Sequence, residues 1–498
     1  MSPLLILAVV AAYFISIFVI SRITGRKADN QSFFTGNRKS SWVMVTFAMI
    51  GAAISGVTFV SVPGMVAAKG FSYMEMVIGF TVGQLIIAFV LIPLFYKMNL
   101  TSIYEYLENR FGMSSYKTGA WFFFISKMLG AAVRLYLVCA VMQLLVIEPF
   151  LSGMAEKYAV FAENRQAFSI LFFIVNVVVS MALVWLYTNR GGVKTLIWTD
   201  SFKTLCLVVS VILSIYFIAK SLGFNLGGLV SAVAAHDYSQ IFFFDDINDK
   251  RHFVKQFLAG VFTLIAMTGL DQDMMQKNMS CKNPADAKKN IVITALLQAV
   301  VIFLFLVLGV LLYMFAAKEG IAAKGDDLFP KLATGGYFPA IVGILFILGF
   351  ISAAYAAAGS ALTALTTSFT VDILESSKKD TETETTRRRK AVHIWMSVVM
   401  GIVILVIKAL NNTSVIDAVY ILASYTYGPI LGMFAFGIFA KWQVRDRWVP
   451  LVALLSPALC LVLDLNSRAW FGGYQFSYEL LLMNAAFTFV GLLVLRKK

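Results

Sequence analysis

Apolar residues run through this chain in long blocks, and polar residues collect in short stretches between them. A block of roughly 18 or more apolar residues can cross a hydrocarbon layer about 30 Å thick as a helix. The pattern predicts about thirteen such spans, near residues 4–21, 44–66, 73–95, 118–146, 168–188, 194–219, 253–275, 290–316, 337–373, 391–411, 416–440, 448–465 and 476–495. The block at 337–373 is too long for one straight crossing and is expected to include an outer amphipathic piece. The first block follows Met1–Pro3 with no basic segment ahead of it, so it reads as a retained span, not a cleaved signal. The expected class is an all-α integral membrane protein, with residues 1–498 as one unit.

Composition strengthens this reading. The 498 residues are 59% hydrophobic and 14% charged, against roughly 45–50% and about 25% in soluble domains. A soluble enzyme, a secreted module and a disordered chain are excluded. The net charge of +14 raises the question of nucleic acid, but its distribution answers it. Basic residues crowd alternate loops: Arg22, Arg26, Lys27, Arg38 and Lys39; Lys97, Arg110 and Lys117; Lys277, Lys282, Lys288 and Lys289. The series continues with Lys378, Lys379 and Arg387–Lys390, then Lys441, Arg445 and Arg447, then Arg496–Lys498. About 26 Lys and Arg fall on that side against about 11 on the other, the asymmetry of cytoplasmic loops. The expected N-terminus is therefore outside and the C-terminus cytoplasmic, in a plasma or bacterial inner membrane, with lipid around a monomer and no nucleic acid. Ser376–Lys390 reads as a solvated cytoplasmic connector. Cys139, Cys206, Cys281 and Cys460 lack paired spacing, and His236, His252 and His393 lack a metal-ligand pattern, so neither a disulfide framework nor a resident metal is expected.

Two spans carry interruptions. In the second, Gly51, Ser55, Gly56 and Pro63–Gly64 break the helical pattern. Unwinding at Gly51–Gly56 around a cavity and close packing of small residues are both open on spacing alone. In the seventh, Gly269 stands beside Asp271, Gln272 and Asp273, which fit either a break or an interfacial end. Ionisable residues inside spans are costly and point to function: Lys127 and Arg134 in span 4, Asp200 and Lys203 in span 6, and Glu75 near the outer end of span 3. Counted from an inner boundary near Val193, Asp200 lies about 10 Å deep and Lys203 about 15 Å. Their spacing of three places both on one helix face, where they can pair.

With these motifs in view, the chain resembles the solute:sodium symporter family over nearly its whole length, most of all its bacterial members. The matching stretches are FFTGNRKSSW, NLTSIYEYLENRFG, GGVKTLIWTD, GLDQDMMQKNMS, ALTALTTSFTVDIL and YTYGPILG, in order along the spans. The resemblance implies a LeuT-type fold of two inverted five-helix repeats, here residues 44–219 and 253–440, with spans 2 and 7 broken and peripheral helices in 1–43 and 441–498. It also implies a midplane solute site and alternating access. For sodium it implies backbone oxygens of Gly51, Ile54 and Ala353, the side chain of Asp200, and two hydroxyls of span 9. Those hydroxyl positions are Ala356 and Ala357 here, a departure that leaves a hard cation short of oxygen ligands. Of the two positions matching further ligands in some members, Gly359 and Ser360, only Ser360 offers a side-chain oxygen. Lys203 stands where many relatives have glutamine; a tethered ammonium replacing sodium and independent drift are both open.

For the solute, the resemblance implies span 2 hydroxyls at Ser55 and Thr58, the arginine at Arg134, and a polar residue of span 3, Glu75. An arginine offers a carboxylate a two-pronged fork. The hexose carriers of the family place aromatics where Met267 and Thr268 stand, so stacking of a glucose-like ring there is not expected. The implied function is secondary transport of a small polar organic solute (a sugar, a sugar acid or another organic acid), sodium-coupled through a degenerate site. The alternatives are a sodium-independent or proton-coupled carrier using Lys203 with Asp200, and a transporter-like sensor. No nucleophile–base pair or metal cluster points to an enzyme. Sodium would be cargo, and no cofactor is expected.

Overall fold

The computed structural model describes residues 2–26, 28–189, 191–376, 380–410, 415–476 and 478–497; Lys27, Lys378, Lys379 and Lys498, counted above among the basic residues, lie outside them. Ten described helices are long and apolar enough to span a bilayer, and two bent pairs bring the number to 12. The shorter apolar helix Leu480–Val494 accounts for the last of the expected blocks.

We label the spanning helices α1 (Pro3–Thr24), α2 (Trp42–Ala53), α3 (Gly56–Lys69), α4 (Tyr73–Ile86), α5 (Met113–Met142), α6 (Arg165–Thr188) and α7 (Gly192–Ser221). The second part holds α8 (Phe253–Leu264), α9 (Gln272–Asn278), α10 (Pro284–Glu319), α11 (Ala340–Ser368), α12 (Glu382–Leu410), α13 (Val415–Phe439), α14 (Val449–Trp470) and α15 (Leu480–Val494). Large apolar side chains such as Phe89, Trp395 and Leu454 point outward and stay exposed. In water that surface would drive aggregation; in hydrocarbon it is the solvent-matched face.

Small residues set the tightest crossings. Where α4 meets α8, a Cβ on Gly79 would lie 2.2 Å from the Phe257 carbonyl oxygen, and one on Gly260 would lie 2.2 Å from that of Met76. The two backbones thus touch directly, as small residues allow inside membranes.

The bent pairs are α2–α3, with 58° between the helices, and the helix Phe253–Gly269 with α9, at 69°. Several expectations need correction here. The first break is narrower than Gly51–Gly56: α2 stays helical through Ala53, and only Ile54 and Ser55 are extended. Gly51 is small because α7 presses on it, not because the chain unwinds there; an added Cβ would meet Thr204 Oγ1 at 2.3 Å and the Asp200 carbonyl at 3.0 Å. Pro63 does not end α3, and the Gly64 carbonyl accepts a bond from Tyr313 Oη at 2.6 Å. The block at 337–373 is one continuous helix, Ala340 onward, closed by a π turn at Phe369–Ile373, and the short helix Leu328–Thr334 is separate from it. From Glu382 onward the connector belongs to α12, and Arg389 is buried with its guanidinium 4.3 Å from the Phe33 ring centroid. Lys277, counted among the loop residues, is buried on α9.

Candidate functional site

Both breaks open onto one cavity. Ile54, Ser55 and Thr58 line it from the first, and Met267, Thr268 and Asp271 from the second. Helix α5 adds Lys127 and Arg134, and α13 adds Tyr420 and Tyr427. About 100 Å³ of the space is open to the centre of a water molecule, several times the roughly 10–15 Å³ that one water needs. The second break follows a π turn, Ile265–Gly269, the kind of helical defect that often marks function.

The two helix starts at these breaks differ. Helix α3 begins after Ser55 with no side chain bonded to its first amides. Helix α9 is capped by Asp271, whose carboxylate accepts the amides of Asp273 and Met274 at 2.9 and 3.3 Å. An open helix start carries partial positive charge and free donors, so α3 offers an anion what α9 has already given away.

Five of the six expected solute residues reach the cavity: Ser55, Thr58, Arg134, Met267 and Thr268. Glu75 does not line it. It is fully buried, and its Oε1 accepts the Phe243 amide at 2.9 Å, tying the start of α4 to the loop before α8. The half-buried Arg134 makes no hydrogen bond or ion pair among the described residues.

Beneath the cavity runs a chain of buried ion pairs. Lys127 Nζ lies 3.1 Å from Asp271 and 2.8 Å from Asp273. Asp273 lies 3.6 Å from Lys277, and Lys277 2.9 Å from Asp200 Oδ2. Lys203 then sits 3.3 Å from Asp200 Oδ1. Hydroxyls tie the chain down: Tyr427 donates to Asp271 at 2.5 Å, and Ser360 accepts from Lys277 at 2.5 Å while donating to Asp200 at 2.9 Å. Lys203 also bonds Tyr187 Oη at 3.2 Å and the Tyr355 carbonyl at 3.3 Å, with its ammonium 4.2 Å from the Tyr187 ring centroid. Each charge here is almost wholly out of water. Removing one partner of such a pair leaves an uncompensated ion and typically costs about 3–5 kcal/mol.

The expected sodium residues collect beside this chain. Ile54 and Gly51 come from α2 and its end, Asp200 from α7, and Ala353, Ala356, Ala357 and Ser360 from α11, all buried. Ala356 and Ala357 contribute methyl groups, and the Asp200 oxygens and Ser360 hydroxyl are engaged as described. Sequence reasoning singled out Lys127, Asp271 and Asp273 but missed Lys277, placing it in a loop. The available signal was its i,i+4 spacing from Asp273, just after the glycine break. Among the described residues no group of three or more His, Cys, Asp or Glu is placed to hold a metal, and all four cysteines are free thiols.

Comparison with known proteins gives a consistent picture. The family model described as the sodium:solute symporter family matches residues 33–445. A sodium-coupled monocarboxylate transporter 2 of Danio rerio is 23% identical over 483 residues, covering 93% of this chain and 72% of the relative. The sodium/sialic acid symporter NanT of Aliivibrio fischeri is 26% identical over 444 residues, covering 84% and 79%. A solved structure of a sodium-coupled sialic acid symporter, substrate-bound and outward-open, superposes with a TM-score of 0.79 at 18% identity over 98% of this chain and 97% of that one.

Proposed function

The chain belongs to the sodium:solute symporter family, and we propose that it is a secondary transporter whose solute is a small organic carboxylate read by Arg134. The family consists of multi-pass membrane transporters with LeuT-type architecture, and a small-molecule solute follows from membership.

One observation carries the carboxylate: Arg134 lines the central cavity and makes no hydrogen bond or ion pair among the described residues. An unpaired cation at this depth is costly. A carboxylate entering the cavity would meet a two-pronged donor and the open start of α3 together. The acids named for two relatives, monocarboxylates and sialic acid, are compatible with this chemistry. Met267 and Thr268, which present no aromatic face, leave a sugar ring without a stacking partner on that wall. In this reading Ser55 and Thr58 bind the remainder of the solute, and Glu75 serves the outer loop instead.

The same reading takes residues 1–498 as one transporter unit of two five-helix halves, 44–219 and 253–440. It acts as a monomer in a plasma or inner membrane, N-terminus outside and C-terminus in the cytoplasm; the charge asymmetry of the loops supports the orientation. The test is counterflow uptake by proteoliposomes with labelled carboxylates, neutral sugars and amino acids. Uptake confined to carboxylates and abolished in Arg134→Ala is expected. Uptake of neutral solutes that survives Arg134→Ala would overturn the proposal.

A further inference from the structure

Charge in the middle of this bundle is balanced without a mobile cation. The ion-pair chain holds Asp200, Asp271 and Asp273 against Lys127, Lys203 and Lys277, and each carboxylate touches at least one ammonium. Arg134 then adds one unmatched positive charge at the cavity wall. An anionic solute alone would neutralise this set; a sodium ion arriving with it would restore the excess. Both side-chain oxygens of Asp200 are already engaged. Lys203 holds Oδ1, Lys277 and the Ser360 hydroxyl hold Oδ2, and the Tyr355 carbonyl is taken by Lys203 and by Tyr187.

We propose that the ammonium groups of Lys203 and Lys277 permanently fill the coupling-ion seat beside Asp200, so that this chain moves its solute without binding sodium. The inference rests on reading the cavity as the solute site of a carrier, and it deepens that reading by assigning the ion seat. An ammonium about 4 Å from a sodium ion, at an effective dielectric near 20, would weaken its binding on the order of a thousandfold, and two of them converge here. The methyl groups of Ala356 and Ala357 offer nothing in return. The two lysines come from different helices, α7 and α9, and through Asp200 and Ser360 they join α7, α9 and α11. A dissociable ion would make that junction only when loaded; here it is built in.

The test is binding of radiolabelled sodium to the purified full-length protein in detergent, read by scintillation proximity against excess unlabelled sodium or choline. No saturable, sodium-displaceable signal is expected at millimolar sodium. Saturable binding by the wild-type chain would overturn the proposal, whatever any variant does. In the combined variant Lys203→Gln, Lys277→Gln, Ala356→Ser, Ala357→Ser, gain of saturable binding is expected. The same variant folding normally, by thermal melting, yet still failing to bind would count against the lysines as the cause. Since the assay needs no solute, a failed carboxylate reading leaves it decisive, and sodium binding alongside Arg134-dependent uptake would sink this inference alone.

Discussion

The two broken spans look alike in outline and differ in what they carry. From Trp42 to Ala68 the first has no charged residue, and its break consists of Ile54 and Ser55 between helices that pack on Thr204, Ala354 and Phe350 through small residues. The second places Asp271, Asp273 and Lys277 within one turn or two of its break, all buried. The first break gives room and an uncapped helix start. The second gives fixed charge, and spends its own helix start on Asp271. A membrane protein can thus divide the work of one site between a neutral half that approaches closely and a charged half that is electrically closed.

The sharpest way to break this comparison is at its charged half. Asp200→Asn leaves Lys203 and Lys277 facing each other without their shared anion, and a loss of about 3–5 kcal/mol is expected, measured by thermal or denaturant unfolding in detergent. Adding Lys277→Gln to that variant should recover part of the loss, with a coupling of about 0.5–3 kcal/mol. Full additivity would show that the pair is not a unit. Next in size is the cavity wall. Arg134→Ala should weaken carboxylate binding about 10–100-fold, the worth of about 1.5–3 kcal/mol for a hydrogen bond to a charged group. Its melting temperature should change little, because Arg134 makes no hydrogen bond or ion pair among the described residues.

The neutral half predicts a steric effect instead. Gly51→Ala forces a methyl towards Thr204 Oγ1 and the Asp200 carbonyl and should cost about 1–3 kcal/mol. Thr204→Ala in the same chain should relieve part of it; equal destabilisation with and without Thr204 would mean the contact is not what keeps the position small. The smallest effect belongs to a pair outside the spans. Asp249 and Arg251 meet at 2.7 Å while partly exposed, so Asp249→Asn should change stability by less than about 1 kcal/mol. The Arg251 side chain holds the Asp249 carboxyl below its usual value. A depressed carboxylate stabilises above its unfolded pKa and loses that contribution as pH falls through the folded one. The difference between wild type and Asp249→Asn should therefore vanish in acid and persist at neutral pH.

Much of this fold was legible in the sequence because hydrocarbon imposes one strong rule: a span must be long, apolar and helical. The blocks follow from it; the two broken spans were expected only through the family resemblance, and the first break proved narrower than Gly51–Gly56. What glycine meant was not legible. Gly51 and Gly56 in a row of small residues suit unwinding and close packing equally, and only the neighbours they meet, Thr204 for Gly51 and Ala354 for Gly56, decide between them. Arg134 and Lys203 stood out because each is an ionisable residue deep inside a long apolar span. Lys277 did not, because it follows polar residues at what looked like a span's end, and the 69° turn that folds α9 back into the protein leaves no mark in composition. Glu75 misled for a related reason: a buried carboxylate was legible, but its partner is a backbone amide of a loop some 170 residues away, which side-chain chemistry cannot announce.

The most direct test of the account is the initial rate of labelled carboxylate uptake into proteoliposomes, measured with sodium, with choline in its place, and with sodium gradients of opposite direction. The account predicts one rate in all of these conditions and its loss in Arg134→Ala. A rate that rises with an inward sodium gradient and collapses in choline would contradict it.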